Sequence, residues 1–310
     1  MTTRTVLLFC SIYFLLFSCT AQEPRQVNGF ELADLRIPAD EIKQGGPPRD
    51  GIPAIDRPQF VEAGEADFLK DDDRVLGVTV EGIAKAYPIR ILNYHEVVND
   101  RFGDQAVAVT YCPLCGSGLA FAAGQGEERR TFGVSGLLYN SDVLLYDRQT
   151  ESLWSQIMME AVSGPAAGEE LTYIPTAATT WGAWRAAHPH TLALSPETGY
   201  QRDYTRTPYA RYEQSEQLMF PVTRESDLLK KKDWVIGVEI DGHYKAYPLN
   251  ALARKGPELS DTFRGRELHI RYDAESRSAI IRDRSGTELP AVTMYWFAWY
   301  AFHPETEVFR

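Results

Sequence analysis

The chain has 310 residues and a formal charge of −11, with 32 Lys and Arg against 43 Asp and Glu. Its basic residues form no cluster able to track phosphates, so nucleic acid is not an expected partner. Four cysteines are too few for a disulfide-stapled scaffold. The fold must therefore rest on apolar burial, which a chain of this length can supply.

In chain order, Val6 to Phe17 is a nearly unbroken apolar run behind Arg4. It is too short to span a bilayer, which takes about 20 apolar residues, and has the proportions of a signal peptide. Leu16-Phe17-Ser18-Cys19 resembles a lipobox, in which the cysteine becomes the lipidated first residue of the mature chain. We expect residues 1–18 to be a signal peptide and residues 19–58, polar and rich in Pro and Gly, to be a lipid-anchored tether. The expected location is the bacterial cell envelope, with the membrane as partner through lipid on Cys19. Cys10 leaves with the signal, so Cys112 and Cys115 are the two thiols left to the folded part, in a compartment where disulfides persist.

An internal repeat organises the rest. Arg74 to Ile89 matches Asp233 to Leu249, with Gly77/Gly237, Gly82/Gly242, Lys85/Lys245, Tyr87/Tyr247 and Pro88/Pro248 in constant register. Apolar and polar residues alternate on both sides of Glu81-Gly82 and Asp241-Gly242, which predicts β-hairpins with tight primed turns. Ile91 to Asp100 reads as a short helix. Trp181-x-x-Trp184-x-x-x-His188-Pro189 matches Trp296-x-x-Trp299-x-x-x-His303-Pro304. The i, i+3 spacing suits a short helix stopped by the His-Pro step. The expected fold class is α+β, mostly antiparallel β, in two copies of one β-rich unit: residues 59–200, with an insertion from about Gly124 to Gly164, and residues 201–310.

Residues shared by both copies most simply serve the fold, and residues found in one copy are better candidates for function. Opposite Cys112 and Cys115 the second copy has Asp273 and Ser276, and opposite His95 and Glu96 it has Lys255 and Gly256. Cys112-Pro113-Leu114-Cys115-Gly116 between two strands resembles the knuckle of rubredoxins and zinc ribbons. Three readings stay open. In the leading one Cys112, Cys115 and His95 hold a soft ion, Cu(I) or Zn(II), with Glu96 or Asp147 orienting the site and a metal-delivery protein as partner. In the second, Cys112 attacks and Cys115 resolves in thiol–disulfide exchange with a redox partner. In the third the pair is structural, and Asp147, Arg148, Trp154 and Gln156 in the insertion line a polar groove for a small ligand. Walker, GxGxxG, GxSxG and HExxH patterns are absent, so no enzyme class is selected.

Several of these segments carry a family resemblance. Gly45 to Pro53, His95 to Asp100, Tyr111 to Gly118, Phe132 to Gly136 and Asp147 to Gln156 are similar to the prokaryotic family called domain of unknown function 3179. The resemblance spans roughly residues 45 to 300. It implies that His95, Cys112, Cys115, Asp147, Arg148, Trp154 and Gln156 belong to the shared pattern, and it names no reaction.

Overall fold

The two alternating stretches fold as hairpins. Arg74–Val80 pairs antiparallel with Ile83–Pro88, and Trp234–Ile240 with His243–Pro248. Glu81 and Gly82 have φ of 50° and 80°, and Asp241 and Gly242 have 52° and 75°. Two successive positive φ values define the primed turn whose twist matches the strands it joins. These features belong to a computed structural model, which describes residues 25–310. The expected signal peptide (1–18), Cys19 and the start of the tether lie outside the described residues.

Five sheets are arranged as the blades of a β-propeller. The first blade holds, in spatial order, Thr176–Thr180, Arg74–Val80, Ile83–Pro88, Leu192–Leu194 and Phe60–Glu62. The second runs Thr172–Ile174, Ser117–Ala122, Gln105–Cys112, Val97–Phe102. The third is Glu160–Ser163, Leu153–Ser155, Asp142–Asp147, Phe132–Tyr139 and Lys43–Gln44. The fourth contains Ala291–Tyr295, Trp234–Ile240, His243–Pro248 and Glu307–Val308, and the fifth Glu258–Phe263, Arg266–Asp273 and Ser278–Asp283.

This arrangement corrects the expected fold class. The chain is a β protein, not an α+β protein built as two units. Among the described residues the α-helices are seven residues or shorter, so they join strands and form no layer of their own. One apolar cluster is shared by residues 59–200 and 201–310, while another, with Ile236, Tyr247 and Phe263, lies within the second stretch. The largest apolar cluster packs Leu119 of the second blade with Trp154 of the third and Val235 of the fourth. What the matching sequences share is strand order within the first and fourth blades. The insertion of 124–164 is most of the third blade.

Two smaller expectations also change. The tether does not describe residues 25–58, because Phe30, Leu32, Ile37 and Ile42 are buried against Leu144 and Tyr146, and Lys43–Gln44 adds an edge to the third blade. Four apolar residues scattered among polar ones carry no period, so they do not announce a packed segment. The helix expected over 91–100 is Ile89–His95, and Glu96 ends it in the left-handed region at φ 57°. The β-branched pair Val97-Val98 then starts the strand Val97–Phe102.

Trp181–Ala187 and Trp296–Phe302 form as helices, each laying a tryptophan on a strand glycine. A Cβ at Gly77 would fall inside the Trp184 indole, and one at Gly237 inside Trp299. Gly237→Ala must therefore displace a buried indole, and overpacking of this kind costs about 1–3 kcal/mol. Urea unfolding should show that loss, whereas Gly265→Ala, with open space around it, reports only the backbone strain of its turn. Equal midpoints for wild type and Gly237→Ala would refute this account of the helix packing.

Candidate metal centre

Cys112 ends the strand Gln105–Cys112 and pairs with Ser117 at the start of the next, so the four residues 113–116 make the turn. The Gly116 N–H donates to the Cys112 carbonyl at 2.8 Å. Gly116 has φ +66°, and a Cβ there would lie 2.6 Å from the Trp234 ring, so both conformation and space demand glycine. The Tyr295 N–H donates to the Cys115 carbonyl at 2.8 Å, which ties the turn to the fourth blade. Both cysteines are free thiols, 1% and 0% exposed.

The third blade brings a carboxylate to them. Its hairpin turns at Asn140-Ser141, with φ of 51° and 65°, and the strand resumes at Asp142. One ligand atom each from Cys112, Cys115 and Asp142 lies within 4.8 Å of the others. A tetrahedral zinc with Zn–S near 2.3 Å holds its sulfurs about 3.8 Å apart, so a small contraction suffices. Both thiols face the Ser141 carbonyl, at 3.4 Å from Cys115 and 3.7 Å from Cys112.

Asp142 is fully buried, and its two oxygens are unequal. Oδ2 accepts from the Ile157 N–H at 3.0 Å and from Ser155 Oγ at 3.5 Å. Oδ1 has no hydrogen-bond partner. A buried carboxylate oxygen without a partner costs on the order of 1–3 kcal/mol or more, and calls for a proton or an ion. Burial pushes the Asp142 carboxyl up to about 7 against the pull of the Ile157 and Val143 N–H groups. Glu96 is pushed up to about 8 by burial and, in smaller part, by the charge of Asp142. Cys115 is raised as well, by burial and then by Cys112, Asp142 and Glu96.

A strap from the segment 201–233 roofs the pocket. Tyr209 donates to Glu96 Oε1 at 3.4 Å and Tyr212 to the Leu114 carbonyl at 2.8 Å. Thr223 donates its N–H and hydroxyl to Asn140 Oδ1 at 2.8 and 2.9 Å, and Ser141 Oγ donates to the Phe220 carbonyl at 2.8 Å.

His95, the expected third ligand, is occupied elsewhere. Its Nδ1 lies 2.8 Å from the Pro53 carbonyl and its Nε2 2.6 Å from the Tyr204 hydroxyl. Burial lowers its pKa, so it works as a neutral bridge between the loop at Pro53 and the strap. Asp142, rather than His95, is grouped with the two thiols. Glu96 does belong to the surroundings of the thiols.

The expected polar groove separates into a network and a rim. Asp147 Oδ1 accepts the N–H groups of Gln149 and Thr150, and Oδ2 accepts from Thr150 Oγ1 and Trp154 Nε1. Asp147 is thus the organiser of a turn. Gln156 accepts from Ser117 Oγ at 2.6 Å and donates to Thr110 Oγ1 at 2.8 Å, bracing the third blade on the second. Asp147, Trp154 and Gln156 are buried, and Arg148 alone reaches a cavity.

Residues 49–306 match the family described as "Protein of unknown function (DUF3179)", and the chain belongs to that family. No curated protein and no solved structure matches it.

The raised carboxyls set a pH dependence. Asp142 and Glu96 keep their protons in the folded chain at pH values where the unfolded chain, with carboxyls near about 4, has lost them. Folding therefore takes up protons between about pH 4 and 8, and stability falls as pH rises through that window. Each carboxyl contributes at most about 1.4 kcal/mol per pH unit. Denaturant unfolding of the metal-free chain should show the decline, and Asp142→Asn should flatten it. A decline of unchanged slope in the Asn variant would remove Asp142 from the explanation.

Proposed function

We propose that this chain is a metal-binding protein of the cell envelope that holds Zn(II) through Cys112, Cys115 and Asp142. The observation that carries the reading is the partnerless Oδ1 of a fully buried aspartate grouped with two free thiols. Two thiolates alone would suit Cu(I) as well as zinc. A carboxylate is a hard ligand that a soft monovalent ion gains little from, and it moves the preference to zinc. Bound Zn(II) would also lower the thiol pKa values, offsetting the burial that now holds Cys115 protonated. Thiol–disulfide exchange is less well served, because an attacking thiolate needs access and a lowered pKa, and both sulfurs are buried.

Elemental analysis of the chain purified without chelators should find about one zinc per chain, and none in the Cys112→Ser/Cys115→Ser variant. Asp142→Asn should weaken zinc at least roughly tenfold in competition with a chromophoric chelator. A wild-type chain that retains no zinc and takes up neither added Zn(II) nor Cu(I) would sink the proposal.

The envelope location is part of the same reading and rests on the apolar run and the Leu16-Phe17-Ser18-Cys19 sequence. Labelled palmitate fed to producing bacteria should enter the wild-type chain and not Cys19→Ser. Equal labelling of both would rule out that anchor.

A further inference from the structure

A cavity of about 440 Å³ opens where the second and third blades meet. Its rim carries four arginines, Arg101, Arg129, Arg130 and Arg148, a concentration at odds with a chain whose formal charge is −11. The carboxylates beside them are largely spoken for. Asp100 is neutralised from behind by Lys85, at 2.8 and 3.0 Å, with Tyr87 donating to it as well. Asp56 accepts from Arg148 and from Asn99, both at 2.7 Å. Arg130 reaches outward to Glu169. Arg101 has only Asp104, at 3.9 Å and fully exposed, a pair that solvent leaves weak. Arg129 forms no ion pair among the described residues. The floor is apolar, with Ala106, Val107 and Ala123.

We propose that this cavity is a binding site for a small organic anion bearing a phosphate or two carboxylates. Guanidinium forks match the paired oxygens of both groups and keep their charge at any physiological pH. The volume lies in the range of small-molecule sites and exceeds what a bare oxyanion fills, and the apolar floor suits a short carbon skeleton. The position explains Asp147 and Arg148 as well. Asp147 fixes the turn with four hydrogen bonds, and the Arg148 head is held at the rim by Asp56. None of the lining residues belongs to the thiol pocket, so the inference stands apart from the metal reading.

Calorimetric titration of the full chain with glycerol 2-phosphate and with succinate, at about 150 mM NaCl, tests it. At least one should bind saturably with Kd below about 1 mM. Arg101→Gln/Arg129→Gln, which alters two exposed side chains with no close ion pair among the described residues, should lose at least tenfold in affinity while keeping the wild-type melting temperature. Preference for the phosphate or for the dicarboxylate identifies the headgroup. Absence of binding by both probes, or equal binding by the double variant, overturns the proposal.

Discussion

Desolvation of acids governs the centre of this molecule. Two thiols and two carboxyls sit buried close together, and every one of them prefers water when ionised. Such a group of side chains is tolerable in two states. Either Asp142, Glu96 and Cys115 keep their protons, as their raised positions describe, or a cation replaces protons. The N–H groups of Ile157 and Val143 and the Tyr209 hydroxyl favour bare negative charge, but less than burial opposes it. Around Asp142 only one oxygen is served by the backbone, and Glu96 has a single long bond from Tyr209.

The architecture follows from keeping that pocket closed. The Cys112–Gly116 turn is pinned to the fourth blade through Tyr295 and Trp234 and roofed by the strap through Tyr212. The third blade presents Asp142 by ending a hairpin against it, and the strap grips that same turn at Asn140 and Ser141. Contacts from so many blades explain why the site stands in the shared core.

Much of this was legible in the sequence, for identifiable reasons. Glu81-Gly82 and Asp241-Gly242 announce hairpins because a two-residue primed turn demands positive φ, which glycine supplies, between alternating strands. Cys112 and Cys115 stand out because their counterparts, Asp273 and Ser276, have different chemistry. Asp142 escaped because an aspartate after Asn-Ser looks like ordinary turn composition, and its pairing with the thiols is made across blades by strands far apart in sequence. His95 misled for the complementary reason. It differs from its counterpart Lys255 because it braces Pro53 to Tyr204, so a residue unique to one segment can still be structural. The fold class failed on a similar point, since matching segments reveal kinship between blades without revealing how many blades surround them.

The third blade gives the two proposed sites a common frame. Asp142 begins the strand that Asp147 ends, and Arg148 follows directly. At about 3.4 Å per residue the two ends lie roughly 17 Å apart. That strand is buried along its whole length and paired on both sides, by Phe132–Tyr139 and by Leu153–Ser155. A rigid rod of this kind fixes each site in place relative to the other. Coupling between them can pass through the packing of the blade on its neighbours, where Gln156 joins Ser117 and Thr110. Ser117 pairs with Cys112 across the thiol turn and Thr110 precedes it by two residues, so this brace runs from the third blade directly into the strands that carry the thiols.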